Sequence, residues 1–484
     1  MCSPCRVGTT ANGLNTATVV FSPFFSIFAV RMQTIFNRYS AHYRSLTALG
    51  LPIVVGQVGT IVLGFADTLM VGHHSMVELA AASFVNTLMT LFIVFALGFS
   101  YGLTPIVGQL SGRGEDSSIG GVMLGGLAAN LVLATIIVAL LTVIYANIGR
   151  LGQPEELLPL MRPYWLVSMA SMPFVCVFNC FKQFYDGLGH TKVPMYVLIG
   201  GNVLNIVGNY LLIYGAFGLP ELGLLGAGIA TFASRVAMCL ALLLVFFASP
   251  RYRLYSRGFL SAHLNKAHFR HVNALGWPVA LQMGMETSAF SLTAILVGWI
   301  GTTALAAHQI MLTVSQLFYM VYYGMAAAVS IRVSHFHGQR DLRAANDTAT
   351  AGFHLILLIA CIVSVPIFLL RSHIGLWFTD SNEVCALVAQ AIVVLIVYQF
   401  GDGLQCTFAN AMRGLACVKP AMGVAFFSYF IVSLPLSWLL GIHLGFGLVG
   451  IWAAFPVCLT CAGVLYYTFF RRALRAEAAK AKQA

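Results

Sequence analysis

Residues 46–71 read LTALGLPIVVGQVGTIVLGFADTLMV, an apolar stretch interrupted by one charge, Asp67. A helix of that length crosses the ~30 Å hydrocarbon core of a bilayer. Its opening also returns later in the chain: Leu49-Gly50-x-Pro52 recurs as Leu275-Gly276-x-Pro278, 226 residues on. The same offset carries Gly72 to Gly298, Leu79-Ala80-Ala81 to Leu305-Ala306-Ala307, and Gly112 to Gly338. At an offset of 227, Gly187-Leu188, Lys192 and Met195 return as Gly414-Leu415, Lys419 and Met422. Gly223-Leu224-x-Gly226 returns as Gly447-Leu448-x-Gly450. One membrane span and one ordered duplication therefore set the frame for everything else.

Hydropathy and its breaks predict an all-α integral membrane protein of twelve transmembrane helices. They fall near 46–71, 80–108, 119–146, 160–180, 194–215 and 224–248, then 274–298, 304–331, 346–371, 384–412, 419–442 and 447–470. With 59% apolar and 8% charged residues, the chain lies far from the ~25% charge of a soluble domain. Six spans per copy is an even number, so both copies insert in the same sense and the repeat is parallel. The expected domains are an N-lobe (32–248), a linker (249–273), a C-lobe (274–470) and a basic tail (471–484). Residues 1–31 look unlike the rest, and Met32 is the expected start.

The net charge of +11 sits in short loops and not on a nucleic-acid-binding domain. From residue 31 on, loops and tails on the side of the termini and linker hold 21 Lys and Arg, against three on the other side, Arg150, Arg162 and Arg371. That bias predicts cytoplasmic termini in a bacterial-type inner membrane. The scattered cysteines, Cys458 and Cys461 included, come without a ligand set for zinc.

Of fifteen carboxylates, three lie inside the spans: Asp67, Glu286 and Asp402. An acid at bilayer depth costs at least ~2.5 kcal/mol, so its retention points to a cation or proton. Asp67 has candidate partners in Asn202, Asn205 and Asn209, of which the last two share a helix face. Two readings stand for this group: an ion site, or a hydrated acid beside asparagines that serve as interhelical glue. Glu286 and Asp402, with Tyr398 one turn before Asp402, make an oxygen-rich set suited to Na⁺ or to proton carriage. Gln282, His308, Gln309, Tyr319 and Tyr322 are candidates for lining a cleft, with ordinary packing as the alternative. Arg235 is given no role.

Gly98-Phe99-Ser100-Tyr101-Gly102 fits the G-x-S-x-G pattern of a serine nucleophile, but it falls in a span, where the strand-to-helix turn that motif needs cannot form. Gly98 and Gly102 read better as packing glycines. With no phosphate-binding loop in the sequence, an ion gradient is the expected energy source, and no cofactor is expected.

Gly64-Phe65-Ala66-Asp67-Thr68-Leu69-Met70-Val71-Gly72 with Pro105-Ile106-Val107-Gly108-Gln109 resembles the multidrug and toxic compound extrusion (MATE) family. Ala306-Ala307-His308-Gln309, Ala328-Val329-Ser330-Ile331-Arg332-Val333 and Tyr398-Gln399-x-x-Asp402 are similar to its NorM-like branch. The resemblance implies two six-helix lobes around a central cleft, working as a monomer that exports cationic, often aromatic drugs in exchange for Na⁺ or H⁺. It implies a coupling-cation site at Glu286, Asp402 and Tyr398. It also implies a first-lobe site at Asp67 with Asn205 and Asn209. Some relatives carry an acid where this chain has Asn209, which makes its first-lobe site less acidic. The alternatives are a lipid or lipid-linked precursor flippase, for which three acids against one mid-span arginine is the wrong polarity, and an intramembrane enzyme built on Ser100.

Overall fold

The computed structural model describes residues 37–480, with the backbone of the first and last helices followed to Asn15 and Gln483. The expectations for residues 1–31 lie outside the described residues. Twelve helices long and apolar enough to cross a membrane are present among them. They are α1 (Asn37–His74), α2 (Met76–Arg113), α3 (Asp116–Ala146), α4 (Glu155–Gly187), α5 (Lys192–Ile213) and α6 (Gly223–Ala248). After the linker come α7 (Lys266–Gly298), α8 (Thr302–Gly338), α9 (Leu342–Trp377), α10 (Asn382–Gly414), α11 (Val418–His443) and α12 (Gly447–Lys480). Each expected span lies on one of these helices. Several run further at the linker side than hydropathy indicates, because polar residues continue a helix once it leaves lipid.

Proline accounts for the irregularities. The sequence reads 80–108 as one helix, yet α2 breaks at Tyr101-Gly102, where Pro105 cannot supply the N–H that would bond the Tyr101 carbonyl. Pro173 does the same to α4 at Ser171. In α11, π-helical turns occupy Phe427–Ser433 and Leu439–His443 on either side of Pro435. By contrast α1 runs unbroken through Pro52.

Each six-helix half is a lobe with its own aromatic core. Trp165, Phe181, Phe184, Tyr185 and Phe246 fill the first, and Tyr398, Tyr429, Trp452 and Phe455 the second. The lobes meet between mid-membrane and the linker side. There a Cβ on Gly102 would stand 2.6 Å from the Gly276 nitrogen and one on Gly98 2.9 Å from the Ala280 Cα, so backbones touch directly. Deeper toward the linker side, Gly112 abuts the His335 carbonyl and Gly338 the Gln109 carbonyl. Polar bonds complete the seal. Arg38 pairs with Asp347 at 2.8 Å, Thr348 bonds His42 at 2.9 Å, and Tyr43 bonds His354 at 2.9 Å. Within the second lobe, Asn346 accepts from Arg471 at 2.7 Å. Every lobe-to-lobe contact that can be named among the described residues lies in this half, which leaves the cleft open toward the opposite face.

The linker helix Arg253–Ser261 packs Tyr255 and Phe259 against Phe184 and Phe246. Beside it, Arg251 donates to His190 Nε2 at 2.7 Å, and Tyr252 lies 3.2 Å from Nδ1. Since guanidinium can only donate, Nε2 accepts and the proton sits on Nδ1. Burial, then the Arg251 charge, hold the His190 pKa below its ordinary value.

Two outcomes follow from these contacts. Gly112→Val must push α2 off α8 at an overpacking cost of about 1–3 kcal/mol. Amide exchange over 110–115 and 335–341 should then accelerate roughly tenfold; unchanged exchange would show that the contact relaxes freely. Because His190 is neutral when folded, its contribution is present above the unfolded pKa of ~6.5 and is lost as pH falls below it. His190→Gln should therefore flatten the loss of thermal stability between about pH 7 and pH 5 relative to wild type. An equally steep profile would refute the assignment.

Candidate functional site

The first-lobe group is built on α1, α5 and α6. Asn205 and Asn209 stand one turn apart on α5, both fully buried. From there the Asn209 amide reaches Asp67 Oδ1 at 2.5 Å and Asn205 Oδ1 at 3.0 Å. Asn205 in turn donates to Thr231 at 3.0 Å on α6. Asn202 lies one turn further along and packs its amide against Gly59 of α1, away from that chain of bonds. Arg235, which sequence reasoning left without a role, interacts electrostatically with Asp67 and Tyr164 from within the same lobe. It is anchored by donating to Ser171 at 2.6 Å, and Tyr164 donates to Asn86 at 2.9 Å. Asp67 thus faces one neutral donor and one cation, and is not an isolated hydrated acid.

In the second lobe, Asp402 is 1% exposed on α10. One oxygen accepts only a weak bond from the Cys406 thiol at 3.7 Å, and Oδ2 has no partner. Glu286 on α7 lies close enough to Asp402 for the two charges to repel. Tyr398 and Tyr319 sit within the field of both acids. Tyr429, fully buried, brings a phenol beside Glu286 from the π-helical part of α11. Two carboxylates, one of them with an unpaired oxygen, and three phenols are thus gathered in one buried region, and oxygen groups of this kind could hold a hard cation. The sequence contains no signal for Tyr429, because a π turn is invisible to hydropathy and shifts which residues face inward.

The remaining candidates divide. Tyr322 bonds the Gln399 carbonyl oxygen at 2.5 Å. Gln282 donates to Tyr466 at 3.4 Å, and His308 accepts from Trp452 at 3.1 Å. All three are buried and work as interhelical bonds. Gln309 is exposed, one residue on from buried His308 on α8, and makes no named side-chain bond among the described residues. Ser100 donates to Asn130 at 2.6 Å and to the Ala96 carbonyl at 2.8 Å. A hydroxyl held this way is a packing bond.

Comparison with known proteins places this geometry. The MatE family pattern matches residues 52–211 and 278–439. The chain is 31% identical over 436 residues to the multidrug resistance protein NorM of Vibrio cholerae, covering 89% of this chain and 95% of the relative. It is 30% identical over 438 residues to NorM of Aliivibrio fischeri, covering 89% and 94%. Among solved structures, MATE in the bent conformation superposes with a TM-score of 0.84 at 18% identity, over 91% of this chain and 97% of the other.

Asn209 is the hub of the first-lobe chain. Replacing it with leucine leaves Asp67 and Asn205 short of a donor, at about 1–3 kcal/mol per buried unsatisfied group. The apparent unfolding temperature in detergent should fall by several degrees. Gln309→Leu, at an exposed position, should stay within about 0.5 kcal/mol of wild type. Equal effects from the two would contradict the described packing.

Proposed function

The chain belongs to the MatE family, and we propose that it is a secondary-active multidrug efflux antiporter that exports cationic organic compounds in exchange for Na⁺ or H⁺. That family is one of transporters and not of enzymes, so Ser100 needs no catalytic role. The observation that carries the reading is Asp402: an ionisable group on a spanning helix, almost wholly buried, with one oxygen unpaired and a second acid beside it. Such an arrangement is costly unless a cation or proton completes it for part of a cycle.

Taking the basic face as cytoplasmic, the sealed side is the inner one and the cleft opens outward. A coupling cation then enters from outside, where Asp402, Glu286, Tyr398 and Tyr429 supply oxygens. Binding there removes negative charge from the second lobe and weakens its hold on a cationic drug, which leaves outward. Drug arriving from the inner side favours the inward-open state. Coupling requires each ligand to prefer one state, since a ligand with equal affinity for both moves nothing. The first-lobe acid is matched internally by Asn209 and Arg235, which supports the second lobe as the main ion site.

Ethidium efflux from proteoliposomes under an imposed Na⁺ gradient, then an imposed pH gradient, tests the reading. Wild type should respond to one of them. Asp402→Asn should lose at least about tenfold of that efflux, equivalent to ~1.4 kcal/mol, while remaining in the membrane at normal level. Dye movement under neither gradient, or wild-type efflux from Asp402→Asn, would overturn it.

A further inference from the structure

Where the lobes close on the linker side, a small chamber lies between them, lined by α1, α2 and α4 of the first lobe and α8 and α10 of the second. It holds about 20 Å³, room for one water-sized occupant. The chamber is rich in unused hydrogen-bond donors. Arg413 Nε, Gln183 Nε2 and the Ser330 hydroxyl are all buried without a partner, and the Tyr323 hydroxyl lies among them beside Tyr101 and Arg413. Neighbouring acceptors are already occupied. Gln183 Oε1 takes the Thr104 hydroxyl at 2.8 Å, Asn410 Oδ1 takes Arg413 at 3.2 Å, and Asp186 Oδ2 takes Lys182 at 2.7 Å. The charges do not cancel either. Lys182 and Arg413 face a single carboxylate, Asp186, and Arg413 is in no ion pair among the described residues. Its guanidinium leans on the Tyr101 ring, 5.0 Å from the centroid.

The duplication explains the arrangement. Thr104 corresponds to Ser330 at an offset of 226, and Gln183 to Asn410 and Asp186 to Arg413 at 227. The chamber therefore sits on the axis relating the two lobes, with a carboxylate on one side and a guanidinium in the matching place on the other. Asp186 is satisfied within its own lobe, which leaves the guanidinium in excess.

The geometry points to a binding site for one small monovalent anion of the halide class, held by Arg413, Gln183, Tyr323 and Ser330 between the closed lobes. Unpaired donors in excess, together with one surplus positive charge, suit an anion better than a neutral water. Gln183 comes from the first lobe and the other three ligands from the second, so the complete site exists only while this side is shut. The anion consequently stabilises the state open to the opposite face, by mass action on one of two conformations.

Thermal unfolding of the full-length protein in detergent, titrated from about 1 to 100 mM sodium chloride or bromide against sodium gluconate at equal Na⁺, reads this binding directly. The expected result is a saturable rise of about 2–4 °C in either halide. Ser330→Ala, which removes one donor without adding bulk to the chamber, should keep its gluconate unfolding temperature and lose at least half of the rise. Arg413→Gln should lose all of it. Should Arg413→Gln fail to fold, Ser330→Ala with Gln183→Leu carries the same comparison. Bromide anomalous density among these four side chains is expected in crystals of this closed state. No saturable halide dependence in wild type, an undiminished rise in Ser330→Ala, or density for water alone would overturn the proposal. Neither result bears on drug efflux, which is measured separately.

Discussion

A charge inside a bundle of apolar helices has to be met by something, and this fold is arranged around three different ways of meeting it. In the first lobe Asp67 is answered internally, by the Asn209 amide and the field of Arg235. Between the lobes Asp186 is answered by Lys182, one turn away on the same helix. In the second lobe Asp402 and Glu286 face each other with few donors, and on the function proposed above their answer comes from outside the chain. The first two arrangements hold helices together, whereas the third makes the protein responsive to its surroundings.

The two lobes share a scaffold and differ in what it carries. Helical breaks at prolines set the inward-facing elements. Pro105 and Pro173 divide α2 and α4 near the lobe interface, and Pro435 lies between the π turns of α11 that present Tyr429. Backbone-to-backbone contacts at Gly102 and Gly276 let the lobes close to touching distance on one side. Small residues make such a seal tight in lipid, where packing and not hydrophobicity drives helix association.

Most of this was legible in the sequence, for reasons that can be named. Apolar length marks a span whatever its neighbours, and the Leu49-Gly50-x-Pro52 echo exposes the duplication without reference to structure. Asp402 and Glu286 stood out because acids in spans are rare, and Asn205 with Asn209 because helical spacing aligns them. Arg235, Asp186 and Tyr429 did not stand out. The first reaches Asp67 only through tertiary packing, and Asp186 was grouped with acids at span ends although it is 4% exposed. Its counterpart at the 227 offset, Arg413, was the signal that could have singled it out.

The Asp186 and Arg413 positions carry a consequence for how such a chain can change. Where two copies of one ancestor close on each other about an axis, corresponding residues become neighbours of a kind that never meet in sequence. If the copies were still alike here, two guanidinium groups, or two carboxylates, would be forced together whenever the lobes shut. Divergence at this pair lets an acid and a base share the chamber where the duplicated halves meet.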